Sequence, residues 1–403
     1  MVLKIALRNM LRQKRRTILT SLTMVGGFLL AAVSIGWSDG TYAYIINMFT
    51  SDRMGQIQVH KAGYLDEPSI YDRIENYEPI GQAIQSVKGV KAWIPRVYSA
   101  GLASLEEKTA GVRLIGMDPD LEESANGFSR KIVEGAPLDR MPAEVLLGQG
   151  VARILSANVG DSVVLLTQAA DGSMANDIFD VVGIVDTGDE TSNRTSLFMN
   201  LADAQEFLVI GRDVHEIAVL VDDLKQVDAT VSSIERKLKE PDLEVLPWQK
   251  FASSFYDAMR ADQQGMWISL FIIILIVAVG VLNTVLMSVL ERRREYGLLK
   301  AVGSRPSMII NLVLTELLGI AVLSILFGAL LSVGVNWMIS IHGVPMPMAI
   351  TYGGIEFDRM YAEINARSLY IPAVTVFLSA IFVGIFPALH AAKTEPAKAM
   401  RTF

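Results

Sequence analysis

The chain has 403 residues, of which 51% are hydrophobic, and its mean hydropathy is +0.36. This hydropathy is high for a soluble protein. The 36 basic and 43 acidic residues, however, are too many for lipid-embedded helices alone, so membrane and water-soluble parts must coexist. A net charge of −7 gives no reason to expect nucleic acid as a partner. The absence of cysteine excludes disulfides, thiolate metal sites and Cys nucleophiles.

Four apolar runs predict membrane-spanning helices. The first, Thr17–Trp37, has no charged residue, and its length matches the roughly 20 residues that cross a bilayer core of about 30 Å. A cleaved signal peptide is the rival interpretation of this run, but the run is long for one and no A-x-A cleavage site closes it. The other runs are Met266–Leu290, Ser307–Ile341 and Leu369–Ala392.

The basic residues fix the expected topology. They crowd the segment 1–16, the 291–306 loop and the tail, so the positive-inside rule makes all three cytoplasmic, with both termini inside. We therefore predict a membrane α-helical fold with four transmembrane helices, one plus three, and a large α+β periplasmic domain. The predicted parts are an entry helix at 1–16, TM1 at 17–38, the periplasmic domain with its stalks at 39–262, TM2 at 263–290, a cytoplasmic coupling loop at 291–306, TM3 at 307–341, a periplasmic loop at 342–368, TM4 at 369–392 and a cytoplasmic tail at 393–403.

The outer domain has the pattern of an α+β fold. The β-branched runs Ser162–Thr167 and Ile178–Val185 predict strands, and Asp171-Gly172 between them marks the turn of a long hairpin. Glu216–Asp222 predicts a further strand. Asp228–Leu238 has apolar positions at helical spacing, with Asp228 as its expected cap. The segment Leu246–Gln264 predicts a helical stalk that joins the outer domain to the second span.

Signatures of catalysis are missing. The chain has no G-x-x-x-x-G-K-[ST] phosphate loop, so we expect it not to bind or hydrolyse ATP itself, and we assign no catalytic residue and no cofactor to it. The four histidines, His60, His215, His342 and His390, are scattered without metal-ligand spacing, so no metal site is predicted.

Glu316 is the lone charge within an apolar run. A carboxylate in hydrocarbon is costly, so its side chain must face a partner or water. The expected role is a structural ion pair or hydrogen bond within the helix bundle. Proton coupling and a direct part in signalling are the alternatives.

The segment from Glu291 to Glu316, ERRREYGLLKAVGSRPSMIINLVLTE, resembles the cytoplasmic loop of the FtsX-like and MacB-type ABC transporter permeases. Their pattern is approximately E-R-x-R-E-I-G-x-x-x-A-x-G, with Tyr296 here in place of the usual Ile. The blocks Ile5–Thr20 and Pro387–Arg401 resemble the family's entry helix and terminal segment. The resemblance implies that the loop couples to an ATPase through Glu291, Arg294, Glu295, Gly297, Leu298, Ala301, Val302 and Gly303.

Spacing in this loop independently predicts a short amphipathic helix. Leu298, Ala301 and Val302 lie at i, i+3 and i+4 and so share one face, which Arg294 and Lys300 flank. Gly303 stands where a left-handed cap would end the helix, and Pro306 can open the next one. Such a helix suits docking into a groove on another protein. A positive-inside loop without a partner is the alternative.

The resemblance also implies partners and a mode of action. These are two copies of an ABC ATPase that binds ATP and Mg, a second permease copy or a homologous permease, membrane lipids and an amphiphilic substrate. Within the family the chain resembles the lipoprotein-releasing (LolC/LolE-like) permeases of the bacterial inner membrane. That likeness implies lipoprotein extraction by mechanotransmission, with a possible periplasmic chaperone or adaptor. MacB-like efflux of peptides or drugs and FtsX-like signalling to a cell-wall hydrolase are the alternatives.

Two further features bear on the substrate. The segment after Leu166, TQAADGSMANDI, stands where Lol permeases have a hook hairpin that recruits the chaperone, but it is short and lacks a hydrophobic tip. Met and Phe adapt to irregular apolar ligands, so an acyl-chain site is one interpretation of four such residues in the first two spans. Plain packing or lipid contact is the other. These residues are Met24, Phe28, Met266 and Phe271.

Overall fold

The computed structural model describes residues 6, 8–10, 12–50, 54–139, 141–352 and 355–395. The chain divides into two compact units. We call the unit Met1–Tyr42, Met259–Met346 and Arg359–Phe403 the membrane unit, and the unit Ala43–Ala258 and Pro347–Asp358 the outer domain. Most of the predicted 1–16 entry helix is described, but residues 1–5, 7 and 11 and the 396–403 part of the predicted tail lie outside the described residues.

Long helices lie toward the two ends of the chain, and most of the short helices and strands lie between them. In chain order they are α1 (Lys14–Phe49), β1 (Ile57–Lys61), α2 (Tyr77–Gln85), β2 (Val90–Leu105), β3 (Lys108–Met117), α3 (Pro119–Asn126), β4 (Ile132–Gly135), β5 (Glu144–Gly148), α4 (Gln149–Leu155), β6 (Ser162–Gln168), β7 (Met174–Val185), α5 (Glu190–Thr195), β8 (Ser196–Asn200), α6 (Leu201–Phe207), β9 (Glu216–Val221), α7 (Val227–Leu238), β10 (Leu243–Pro247), α8 (Trp248–Phe251), α9 (Ser253–Glu291), α10 (Arg293–Ala301), α11 (Pro306–His342), β11 (Val344–Tyr352), β12 (Ile355–Met360) and α12 (Ala366–Ala392).

Among the residues that the structure describes, four helices, α1, α9, α11 and α12, are long and apolar enough to cross a membrane, as the sequence predicts. The first three have 36, 39 and 37 residues, so at about 1.5 Å per residue each is longer than a bilayer core is thick. The predicted stalk was partly wrong. Its first residues, Leu246 and Pro247, pair with Gln58 and Ile57 of β1, and α9 begins only at Ser253.

Glycine and small polar residues let α1 pack closely on its neighbours in the membrane unit. A Cβ on Gly328 of α11 would lie 2.8 Å from the ring of Phe28, so only glycine leaves room for that ring. Two polar contacts join the same helices. The hydroxyls of Ser21 and Ser324 lie 2.9 Å apart, and the Asn336 side chain donates to the Ala32 carbonyl at 3.3 Å.

The outer domain contains a mixed ten-stranded sheet of order β10-β1-β9-β2-β3-β8-β5-β7-β4, with β6 paired to β2 and β7. The predicted strands correspond to β6, β7 and β9 and are confirmed with shifted ends. The turn of the β6–β7 hairpin contains Gly172 at φ +85°, a conformation that favours glycine. Asp228 is not the cap of α7 as predicted, since the helix begins at Val227 after Gln226. Asp228 lies in the first turn of α7, where its negative charge interacts favourably with the partial positive charge at the helix N-terminus.

The predicted loop at 342–368 contains structure that the sequence pattern did not indicate. Strands β11 and β12 form a two-stranded sheet there. The helix α12 then begins where the Asn365 side chain accepts a hydrogen bond from the backbone N–H of Ser368 at 2.8 Å.

Candidate functional site

The short helix α10 confirms the predicted local structure of the 291–306 segment. It ends at Ala301, Gly303 has φ +95°, and Pro306 is the first residue of α11. A glycine in the left-handed region closes the helix without the steric cost that a Cβ would bring there. The 291–306 segment therefore contains a short helix of nine residues between two spans.

One face of α10 packs on the membrane unit. Tyr296 is 1% exposed and Gly297 is also buried. The partners of Tyr296 come from the ends of three long helices, namely Val289, Ile309, Val313, Ala388 and Ala391. Lys300 does not stand free beside the predicted docking face, because its ammonium donates to the carbonyls of Ala392 and Thr394 at 2.9 and 3.0 Å. These contacts fix the orientation of α10.

The opposite face of α10 is apolar and uncovered. Leu298 is 59% exposed and Val302 is 83% exposed, and Ala301 between them is exposed as well. We call these three residues the α10 patch. Of the other predicted coupling residues, Glu291, Arg294, Glu295 and Gly303 are exposed, whereas Gly297 faces the bundle and is not available at this surface.

Glu316 has two arginine partners. Its Oε1 accepts from Nη2 of Arg16 at 2.6 Å, and its Oε2 accepts from Nη1 of Arg292 at 2.7 Å. The Nε of Arg292 also donates to Glu295 at 2.8 Å. The expected structural ion pair is therefore present. Because Arg16 lies in α1, Glu316 lies in α11 and Arg292 immediately precedes α10, this cluster ties the start of α10 to two spans.

Tyr296, which departs from the family pattern, completes this arrangement. The guanidinium carbon of Arg292 lies 5.3 Å from the centre of the Tyr296 ring, within range of a cation–π contact. Burial raises the pKa of the Tyr296 hydroxyl to about 12. An isoleucine would pack at this position but would offer the arginine no aromatic face.

The four residues considered for an acyl-chain site do not come together on one surface. Met24 and Phe28 are almost fully buried in a core cluster with Val277 and Ala321. Met266 is part-buried beside a different cluster, and Phe271 is 65% exposed on the outside of α9. In this structure Met24 and Phe28 thus pack inside the helix bundle, whereas Phe271 lies on its surface.

The segment compared with the hook is the tip of the β6–β7 hairpin. Ala169 is buried, and the N–H of Ala170 donates to the Leu208 carbonyl at 2.9 Å. The turn is thus held against the outer domain rather than projecting from it. Met174, just after the turn, is 69% exposed.

The outer domain buries a charged cluster that the sequence analysis missed. The Nε of Arg96 donates to Glu122 at 2.7 Å, and its Nη1 lies 3.6 Å from Glu216. Tyr98 donates its hydroxyl proton to the same Glu216 oxygen at 3.0 Å. Burial alone would lower the pKa of Arg96, but the charges of Glu122, Tyr98 and Glu216 and the hydrogen bond to Glu122 together outweigh it and raise that pKa well above its usual value.

Two histidines that are far apart in the sequence lie on either side of one tyrosine beside this cluster. The Tyr64 ring stacks on His60 at 5.0 Å and on His215 at 5.9 Å between ring centres. Burial lowers the pKa of His215, so its neutral form is favoured. No group of three potential metal ligands occurs within the described part of the chain.

Comparison with known proteins identifies both parts of the chain. Residues 17–237 match the MacB-like periplasmic core domain, and residues 267–396 match the FtsX-like permease C-terminal domain. The lipoprotein-releasing system transmembrane protein LolC of Neisseria meningitidis is 22% identical over 417 residues, which cover 98% of each chain. The macrolide export ATP-binding/permease protein MacB of Psychrobacter arcticus is 22% identical over 98% of this chain and 59% of that protein. The crystal structure of the periplasmic region of MacB from Actinobacillus actinomycetemcomitans matches 50% of this chain and 94% of that one at 14% identity, with a TM-score of 0.37.

Proposed function

Because the chain belongs to the family of FtsX-like ABC transporter permeases with a MacB-like periplasmic core domain, we propose that it extracts a lipidated or amphiphilic substrate from the outer leaflet of the bacterial inner membrane. The substrate class we favour is lipoproteins, since a lipoprotein-releasing protein aligns with this chain from end to end. Two copies of a separate ABC ATPase subunit bind ATP and Mg, and a second permease copy or a homologue completes the transporter.

The α10 patch is the observation that carries this proposal. An uncovered apolar surface on a helix that is itself fixed to the bundle suits docking against a partner, because binding loses little conformational entropy. Leu298 and Val302 supply the apolar contact, and the exposed Arg294 flanks it with charge. The ATPase subunit is the partner that the family implies.

The ion cluster around Glu316 gives the docked helix a route to the spans. When the ATPase subunits close on ATP, α10 moves with them, and Arg292 carries Glu316 and Arg16 along. The long helices α1 and α11 then move as rigid rods, because their backbone hydrogen bonds are internal. Mechanical work reaches the periplasmic side in this scheme without passage of the substrate through the cytoplasm.

Leu298→Asp tests the docking surface. Leu298 is exposed, so the new carboxylate leaves the isolated permease stable, but in the complex it would be buried without a partner, which costs several kcal/mol. We expect the co-purified ATPase and its substrate-stimulated turnover to fall at least tenfold, with the amount of permease in the membrane unchanged.

Arg293→Ala is the matched control. Arg293 is exposed on the same helix but lies five positions before Leu298, which turns it about 140° away around the helix axis. It should retain ATPase binding and turnover. Normal coupling in Leu298→Asp together with loss in Arg293→Ala would show that a different face of α10 docks.

The substrate class needs a separate experiment. The transporter is isolated from its native membrane in its nucleotide-free state, and bound molecules are identified by mass spectrometry. Enrichment of triacylated lipoproteins, and their release on addition of ATP, would support the proposal. Recovery of a periplasmic adaptor without lipoproteins would favour efflux instead, and recovery of a cell-wall hydrolase would favour signalling.

A further inference from the structure

The outer domain contains a cavity of about 850 Å³ on one face of its sheet. The opposite face at the same strands is covered by α6, because Gly116 lies against Ala204 of that helix and beside the side chain of Val97. Side chains alternate along a strand, so the neighbours Tyr98 and Ile115 must point the other way, and both line the cavity. The cavity is therefore a feature of the β2, β3 and β8 face itself.

Strand register arranges the floor of this cavity in rows. Opposed residues on β2, β3 and β8 that share a face lie side by side, and successive rows are about 7 Å apart. The outer row carries a cation, the middle row is aromatic and apolar, and the inner row holds the buried arginine. These rows are Ala100–Arg113–Ser196, Tyr98–Ile115–Phe198 and Arg96–Met117.

The carboxylates of the inner row already have partners. Glu122 accepts from Arg96 through one oxygen and from Asn126 through the other, at 2.7 Å in both cases. Glu216 accepts from Tyr98 and lies 3.8 Å from His60. A ligand that enters the cavity therefore meets carboxylates whose oxygens already accept hydrogen bonds from Arg96, Asn126 and Tyr98.

The outer row differs, since its cation faces a ring instead of a carboxylate. The guanidinium carbon of Arg113 lies 4.4 Å from the centre of the Tyr98 ring, and Arg113 makes no ion pair with any described residue. Arg113 itself is exposed. A guanidinium that stacks on a ring keeps its edge N–H groups free to bind an anion in the plane of the fork.

We propose that this cavity binds a small aromatic anion, with its carboxylate or a similar group on Arg113 and its ring over the middle row. Phe198 and Tyr98 provide aromatic surface for the ring, and Ile115 provides an apolar contact between them. The distance of about 13 Å from the outer row to the inner row limits the ligand to one or two rings. This inference goes beyond the transport function, and it uses no residue of α10 or of the ion cluster around Glu316.

Photolabelling of the full chain in lipid nanodiscs tests the proposal. The probe is benzophenone-4-carboxylate, and the modified residues are located by mass spectrometry after proteolysis. We expect adducts on β3 and β8, in particular at Ile115, Met117 or Phe198. The uncharged analogue, benzophenone-4-carboxamide, should label these positions at least fivefold less in the unaltered chain.

A pair of arginine variants completes the test. Arg113→Gln should reduce labelling by the carboxylate probe at least fivefold and leave the weak labelling by the carboxamide unchanged. Arg153→Gln, an exposed arginine on α4 outside this cavity, should label like the unaltered chain. Equal labelling by both probes, adducts confined to other segments, or full labelling of Arg113→Gln would each overturn the proposal. The probe comparison needs no variant, so it stands even if Arg113→Gln folds poorly.

Discussion

The membrane unit and the outer domain each bury a cluster of charges, but the arrangements are inverse. In the membrane unit one carboxylate, Glu316, lies between Arg16 and Arg292. In the outer domain one guanidinium, Arg96, lies between two carboxylates. The first cluster joins α1, α11 and the junction of α9 and α10, whereas the second joins β2 and β9, which the sheet already pairs, to the helix α3. The buried charges thus link separate helices in the membrane unit, whereas in the outer domain they add to contacts that the sheet already makes.

The largest expected effect comes from removing the central group of the membrane cluster. Glu316→Leu removes the carboxylate that the buried Arg292 and the part-buried Arg16 share, and breaking a buried pair costs about 3–5 kcal/mol. We expect the free energy of unfolding of the membrane unit, measured by SDS titration, to fall by that amount. Glu295→Gln is the control, because the Glu295 side chain is 51% exposed and its pair with Arg292 is worth less than about 1 kcal/mol. Equal losses in the two variants would show that Glu316 does not join the helices.

A smaller loss is expected at the edge of the outer cluster. Glu122→Gln keeps the shape of the side chain but replaces a charge-assisted hydrogen bond to Arg96, which still has Glu216 as a partner. The expected cost is about 1.5–3 kcal/mol. Guanidinium unfolding followed by the fluorescence of the outer-domain tryptophans measures it. The control is Glu134→Gln at an exposed position, which should change the unfolding midpoint by less than the measurement error. An equally small change in Glu122→Gln would mean that the sheet alone positions Arg96.

The smallest effect isolates what charge adds between helices. Ser21→Ala removes the hydroxyl that lies 2.9 Å from that of Ser324 and joins α1 to α11 without any charge. Neutral interhelical hydrogen bonds in membranes contribute about 0.6 kcal/mol on average. The same SDS titration should therefore show a loss several times smaller than that of Glu316→Leu. If Ser21→Ala destabilises the membrane unit as much as Glu316→Leu does, neutral polar contacts hold these helices together as strongly as the ion pairs do.

The two clusters also differ in how far the sequence predicts them. Glu316 stands out because it is the lone charge in an apolar run, and the need for a partner follows from the cost of charge in hydrocarbon. Its partners do not stand out, because Arg16 is 300 positions away and is one of several nearby basic residues. In the outer domain Arg96 and Glu122 are 26 positions apart among many surface charges, so no pattern marks them.

The same distinction applies to the fold. The spans follow from local hydropathy, and the β6–β7 hairpin follows from its own turn, so both were predicted. The order of the ten-stranded sheet depends on contacts between distant segments, such as β1 with β9 and β10, which alternation along one strand does not reveal. His60 and His215 lie far apart in the sequence, so no local pattern connects them. Only the sheet brings them to either side of Tyr64.

The position of Arg16 on α1 constrains how this helix can move. A slide of α1 along α11 by one helical turn would carry the guanidinium about 5.4 Å from Glu316, beyond any hydrogen bond. A tilt that pivots about this contact keeps it intact while the far end of a 36-residue helix sweeps through a wide arc. The ion pair is therefore compatible with rocking of α1 about this contact, whereas sliding of α1 along its own axis would break it.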